Sequence, residues 1–329
     1  MSKHYWGYRI DTNQINFFRK ELEAGILRQG WGWHNKQDLR NLKMDEGARR
    51  NLSIYKKVKK DDVLIIPRCP SWDEVSIAIA TEDFDKGYNY HIDEELGDYG
   101  HCFPAKLLKT FVRKNEKVSG QLRATIKNIS RFWNIDHCEE DIEKLINEDS
   151  INLMSKQSYE TSFGNAVYDS FEIAFNEKQF NEKIYETVAK RFSNEEWEFA
   201  LVEGLKSILP EPIIVERTGG KSEALHGTDI LIRLPGLLGF QYLIAIQVKD
   251  YFGKVGKDPI KQISKADNYW NNENCKVVDK YVIFTKANKD DNERIIENQN
   301  GVKIIFINEV KELLSIIGKA YLGFDAIRI

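Results

Sequence analysis

With 329 residues, 42% of them apolar and 30% charged, the chain is long enough for two domains with separate cores and too evenly composed to be fibrous or globally disordered. A net charge of −3 argues against a protein that coats nucleic acid through bulk charge, while leaving room for local basic patches. The longest nearly apolar run, from Leu237 to Val248, is interrupted by Gln241 and Gln247 and falls short of the roughly 20 residues that a membrane helix needs. The residues following Met1 carry no apolar signal core either, so a cytoplasmic protein is expected. Cys69, Cys102, Cys138 and Cys275 form no Cys-x-x-Cys pair and no cluster with histidine, which leaves neither a zinc module nor a disulfide framework.

Along the chain, Trp6, Trp31, Trp33, Trp72 and Trp133 crowd the amino-terminal part, and only Trp197 and Trp270 follow. The two halves therefore read as different modules. In the first, a helix is expected over 14–23, β-rich runs at 62–67 and 75–80, and a second helix over 106–112, which together describe a compact β-barrel with a few helices. Between Lys106 and Arg131 the sequence sets eight basic residues against Glu116 alone, a local charge of +7 that fits a phosphate backbone; Lys114, Arg123 and Arg131 are its candidate contacts. Residues 136–193 are rich in Glu, Lys and Asn, with Phe171, Ala174 and Phe175 at helical spacing, and read as a helical connector between modules at 1–135 and 194–329. Beyond it come a helix (194–209), β-runs at 213–216, 229–234 and 241–248, a helix (259–271), a strand (281–285), a helix (290–298), a strand (302–307) and a last helix (309–317). That alternation predicts an α/β fold with helices on both faces of a sheet.

The most informative stretch is His226-Gly227-Thr228-Asp229-Ile230, followed by Gln247-Val248-Lys249. Pro235-Gly236 supplies a turn between the two β-runs, so they can pair as a hairpin. Residues two apart on a strand face the same side, so Gln247 and Lys249 project together, with Asp229 at the start of the neighbouring strand. Such a cluster suits metal-assisted phosphodiester hydrolysis. A hard cation, Mg²⁺ or Mn²⁺, takes oxygen ligands, here the Asp229 carboxylate and the Gln247 amide oxygen, while Lys249 orients the attacking water and stabilises phosphoryl charge. Thr218-Gly219-Gly220-Lys221-Ser222 has the end of a phosphate-binding loop, but Val215 stands where its first glycine is required, so NTP hydrolysis is rejected. Lys257, Lys261 and Lys265 recur every four residues and share one face of the expected helix. His226 is a candidate general base, although a histidine beside a glycine turn is more often structural.

These residues resemble the Mrr-like branch of the PD-(D/E)xK nuclease superfamily: Trp197-Glu198 with Leu201 and Leu205 behind them, then Gly227-Thr228-Asp229, then Gln247-Val248-Lys249. The resemblance continues through Tyr281-Val282-Ile283-Phe284-Thr285 and Val302-Lys303-Ile304-Ile305-Phe306-Ile307. It implies a restriction-endonuclease-like α/β/α domain whose active site uses Asp229, Gln247, Lys249 and a helix glutamate. Two features depart from the family: Trp197 replaces its Phe, and Gln247 replaces its second acid, removing one negative charge from the metal site. On a helical wheel Trp197, Ala200, Leu201, Leu205 and Ile208 form the buried face, Glu198 borders it and Glu203 points away, which favours Glu198 as the metal-orienting acid.

The first module is similar to the EVE-like members of the PUA superfamily, through Tyr5-Trp6, Trp31-Gly32-Trp33-His34-Asn35, Leu39-Arg40 and Lys60-Asp61-Asp62-Val63-Leu64-Ile65. Domains of that kind hold a modified or flipped base in an aromatic pocket, and the resemblance implies Trp31, Trp33, Tyr88 and Tyr90 as pocket walls, with Tyr99-Gly100-His101 as a neighbouring loop. A reader joined to a cutter implies modification-dependent restriction of foreign double-stranded DNA by a homodimer or DNA-induced dimer. RNA cleavage, or a catalytically silent nucleic-acid binding module, are the competing readings.

Overall fold

Alternation of side chains across a strand decides which residues face which layer, and it organises both halves of this protein. The computed structural model describes residues 3–41, 43, 45–174, 177–220, 222–296 and 301–323; Phe175, Lys221 and the end of the helix expected over 290–298 lie outside them. The chain divides into two units, Met1–Gln157 and Ser158–Ile329. Among the described residues no helix is long and apolar enough to cross a membrane.

The first unit runs β1 (Tyr5–Tyr8), α1 (Ile15–Glu23), β2 (Ile26–Gln29), α2 (Glu46–Arg49), α3 (Leu52–Lys57), β3 (Val63–Pro67), β4 (Glu74–Ala80), α4 (Phe84–Gly87), β5 (Asn89–Tyr90), β6 (His101–Val112), α5 (Gly120–Thr125), β7 (Phe132–Asn134) and α6 (Glu139–Asn147). Its seven described strands form a sheet in the order β2-β6-β4-β3-β1-β7, with β5 beside β6. The described pairings leave β2 and β7 at opposite ends, so they do not themselves close the expected barrel. One face, with Leu64, Ile66, Ala78 and Phe103, packs on α1, α3 and α4 through Phe18, Leu22, Ile54 and Phe84. The other, with Val63, Ile65, Val75, Ile77 and Phe111, packs on α5 and α6 through Leu122, Ile142 and Leu145.

The structure corrects the expected helix over 106–112, which is the second half of strand β6. Its partner β4 sets Ile77 opposite Lys109 and Ala78 opposite Leu107, so Leu108 is the extra residue of a β-bulge. That bulge breaks the period-two alternation and leaves Leu107-Leu108 looking helical. The expected connector over 136–193 is also redrawn: α6 belongs to the core of the first unit, and the following helices belong to the second.

The second unit comprises α7 (Tyr159–Glu172), α8 (Glu177–Arg191), α9 (Glu196–Ile208), β8 (Ile214–Arg217), α10 (Glu223–His226), β9 (Ile230–Pro235), β10 (Gln241–Phe252), α11 (Asp258–Ile263), α12 (Ala266–Trp270), β11 (Cys275–Lys286), α13 (Glu293–Ile296), β12 (Lys303–Ile305) and α14 (Ile307–Tyr321). Its five described strands run β12-β11-β10-β9-β8. β9 and β10 pair as the expected antiparallel hairpin, and β11 and β12 continue parallel to β10. Ile230, Ile232, Ile246, Val248 and Ile283 face α7, α8, α9 and α14, whereas Leu231, Leu243, Ala245, Val282 and Phe284 face α11 and α12. The result is an α/β fold with helices on both sheet faces. The helix expected over 259–271 is two short ones, α11 and α12, broken at Ser264 and Lys265.

Candidate active site

Three sequence-predicted residues converge where β9 and β10 meet. Asp229 immediately precedes β9 and is fully buried; its backbone N–H donates to the Ile246 carbonyl at 2.8 Å, and its carbonyl accepts from Thr218 and Gly219 N–H at 2.8 and 3.1 Å. Those bonds fix its backbone, and Val248 N–H, donating to Oδ2 at 2.8 Å, fixes its side chain. Odd-numbered positions of β10 face the α11 side, which puts Gln247 and Lys249 on one face with Ala245. Lys249 Nζ lies 3.9 Å from Asp229 Oδ2 and donates to Glu223 Oε1 at 3.1 Å. Gln247 is fully buried, and its Nε2 donates to Gln262 Oε1 at 2.8 Å.

Glu198 enters from α9. It is 6% exposed, and its Oε2 accepts from Arg217 Nε at 2.7 Å, while Arg217 packs over the Phe199 ring with its guanidinium carbon 4.3 Å from the ring centre. Gly219 shows how tightly the two acids converge: a Cβ there would meet Glu198 Oε2 at 2.4 Å and Asp229 Oδ1 at 3.3 Å. Only glycine leaves that space open. Gly227 has a positive φ of 66° and backs onto α11 so closely that a Cβ would lie 2.1 Å from the Gln262 carbonyl oxygen, which ties the turn before Asp229 to the α11 backbone. Glu203 is partly exposed and pairs with Lys206 at 2.9 Å, away from this cluster.

Electrostatically the site sets three acids, Asp229, Glu198 and Glu223, against Lys249 and Arg217. Burial, opposed by Lys249 and reinforced by Glu198 and Glu223, pushes the Asp229 carboxyl up to about 7. Burial likewise raises Glu198, against the pull of Arg217. Two buried side-chain oxygens of these residues have no hydrogen-bond partner among the described residues: Asp229 Oδ1 and Gln247 Oε1. Unpartnered buried oxygens are costly, and a hard cation is what such a pair accepts. Among the described residues no three His, Cys, Asp or Glu side chains form a metal cage, so a cation held here would retain waters, as Mg²⁺ does.

Sequence reasoning missed Glu223, Arg217, Gly219 and Gln262. Glu223 had a signal, being the only acid between Arg217 and Asp229. His226 is structural: it is buried, and its Nδ1 accepts from Thr228 N–H at 3.0 Å. Of the lysine row, Lys257 and Lys265 sit at helix starts; Lys261 lies 3.8 Å from Asp258, and Lys265 donates to the Ala224 carbonyl.

In the first unit the aromatic candidates separate. Trp31 lines a cleft of about 350 Å³ together with Arg9, Gln29, Asp98, Tyr99 and Arg131. Trp33 is exposed, with its ring centre 5.4 Å from that of Trp31. Tyr88 is corrected from pocket wall to core: it is 6% exposed and its hydroxyl hydrogen-bonds His101 Nδ1 at 2.8 Å. Tyr90 spends its hydroxyl on the His34 carbonyl at 2.7 Å. Tyr99 takes the place of these two in the cleft, its hydroxyl donating to Asp11 at 2.7 Å. Arg123 is corrected as well, because it is 7% exposed and donates to the Val118 carbonyl as a structural cation. Lys114 is half-buried, and its carbonyl accepts from Gln157 N–H. Arg131 bonds Asn51 Oδ1 at 3.0 Å with its guanidinium 6.0 Å from the Trp31 ring centre.

The chain matches no family model and no curated protein. A solved structure of the restriction endonuclease FokI bound to DNA is similar over 55% of this chain, at 13% identity and a TM-score of 0.28. The chain spans about a third of the length of that structure.

Proposed function

We propose that the protein is a metal-dependent endonuclease that hydrolyses phosphodiester bonds in DNA through the second unit. The observation that carries this reading is the pair of buried, unpartnered oxygens, Asp229 Oδ1 and Gln247 Oε1, beside Glu198 and Lys249. These are also the residues on which the resemblance to Mrr-like nucleases rests. Asp229 and Gln247 would hold the cation, Mg²⁺ or Mn²⁺, which supplies neutralising charge to the scissile phosphate. Lys249 supplies a fixed positive charge where phosphoryl charge develops and a donor that orients water. Glu198 completes the acidic wall, with Arg217 holding it in place.

The finer part of the reading concerns the first unit, where Trp31 and Tyr99 line the cleft that would take an unstacked base, and Asp98, accepting from Gly32 N–H at 2.7 Å, fixes the Trp31–Gly32 backbone beside it. A cleft of about 350 Å³ lies within the range of about 300–1,000 Å³ usual for small-ligand sites. On this reading the DNA carries a modified base, and two copies of the chain act together to cut both strands. The test is cleavage of matched unmodified, methylated and hydroxymethylated duplexes with Mg²⁺ or EDTA. Metal-dependent cutting confined to a modified duplex is expected. Equal cutting of all duplexes would retain the nuclease and remove the modification reader, and binding without cutting would leave a silent binding module.

A further inference from the structure

The basic segment over 106–131 does not form one surface, but the fold assembles a different cationic cluster. Arg9 follows β1, Arg68 follows β3 and Arg113 follows β6, and these strands are near neighbours in the sheet. The turn between β3 and β4 is closed by Arg68 N–H donating to the Glu74 carbonyl at 2.9 Å, and Arg113 N–H donates into the same turn at the Asp73 carbonyl at 2.8 Å. The three arginines consequently line one cleft with Trp72 and Ile129. The Arg68 guanidinium carbon lies over the Trp72 ring, 4.1 Å from its centre, and Trp72 is 55% exposed.

The cluster is short of negative charge. Among the described residues Arg9 and Arg68 have no ion pair; Arg113 lies 4.0 Å from Asp73, which is shared with Lys156 at 2.9 Å. Glu74 lines the same cleft, as does Lys127. Burial first, then Arg9 and Arg113, pull the Arg68 pKa below its ordinary value, as expected of like charges held together without a counterion. Guanidinium groups present planar pairs of donors that match phosphate oxygens. Arg9 and Ile129 also line the Trp31–Tyr99 cleft, so a surface suited to phosphate and one suited to a base share a wall. That combination fits a polynucleotide better than an acidic peptide, which offers no base.

We infer that Arg9, Arg68 and Arg113 form a phosphodiester-binding site for one strand of DNA entering the aromatic cleft, with Trp72 as a positioning residue that packs on the Arg68 guanidinium. This inference rests on the proposal that the protein acts on DNA. The test is fluorescence anisotropy of the full chain with a labelled duplex in EDTA, over a series of salt concentrations. Arg68→Gln and Arg113→Gln should each weaken binding about fivefold to tenfold and lower the salt slope by about 0.9, as for one lost phosphate contact. Trp72→Ala should weaken binding with the slope unchanged, and Trp72→Tyr should restore it. Lys57→Gln, an exposed charge on α3, is the control for bulk charge. Arginine variants that melt like wild type and bind like Lys57→Gln would overturn the site while leaving the DNA reading intact. Absence of duplex binding by wild type would overturn both. Arg68 has a positive φ of 63°, so if its variant fails to fold, Arg113→Gln decides the matter.

Discussion

The two units gather opposite charges by the same means. In the second, the strand pairing of β9 and β10 brings Asp229 toward Glu198 and Glu223 in a buried site, with Lys249 and Arg217 to offset them. In the first, the pairing of β1, β3, β4 and β6 brings three arginines to a half-open cleft with little acid beside them. Like charges held together raise the free energy of a protein, and on the proposed readings a ligand of opposite sign would relieve each arrangement, a cation in one and a phosphate in the other. The difference lies in burial. Asp229 is locked by backbone hydrogen bonds and Glu198 is held by Arg217 inside a buried site, whereas the three arginines are half-buried on turns that line a cleft.

The largest effect that would break this comparison is in the second unit. Lys249→Ala should reduce DNA cleavage on the order of 10²–10³-fold, measured by single-turnover kinetics, with duplex binding retained. A small change would mean that Lys249 merely neutralises Glu223. Next come the aromatic residues of the first unit, which the structure sorts into core and cleft. Tyr88→Ala, in the core, should cost about 3–5 kcal/mol of stability in thermal or denaturant unfolding. Trp31→Ala, in the cleft, should instead cost about 1–3 kcal/mol of affinity for a DNA carrying an unstacked base, read by anisotropy.

A smaller effect concerns pH. His101 is buried, its Nε2 donating to the Trp31 carbonyl at 2.9 Å and its Nδ1 accepting from Tyr88, and burial lowers its pKa below 6.5. The neutral ring is favoured in the fold, so its contribution is full above 6.5 and is lost as pH falls through the lower folded value. The melting temperature should decline from pH 7 toward 5, and His101→Gln should flatten that slope; an unchanged slope would contradict the assignment. Smallest of all, Glu203→Gln should change stability by less than about 0.5 kcal/mol and leave cleavage unaltered, since its partner is the surface residue Lys206.

Much of the second unit was legible because its signals are local. Pro235-Gly236 marks the hairpin, alternation fixes which β10 residues share a face, and the helical wheel places Glu198 rather than Glu203 at the edge of the buried stripe. Arg217 was not legible, and Glu223 was legible only as an isolated acid, because their proximity to Glu198 and Lys249 depends on how α9, β8, α10 and β10 pack together. The first unit was harder to read. The bulge at Leu108 disguised a strand as a helix, and nothing local distinguishes Tyr88 from Tyr99, since the pairing of β5 with β6 determines which ring enters the core. The basic run over 106–131 misled for a related reason. A strand, a turn and a short helix scatter its charges, burying Arg123, while Arg113 joins Arg9 and Arg68 from distant parts of the sequence.

The central claim is that Asp229 and Gln247 await a cation, and a calorimetric titration of Mn²⁺ into the full chain tests it most directly. The account predicts saturable binding by wild type that is lost in Asp229→Asn, with the folded state of the variant confirmed by its melting curve. No binding to wild type, or equal binding to Asp229→Asn, would contradict it.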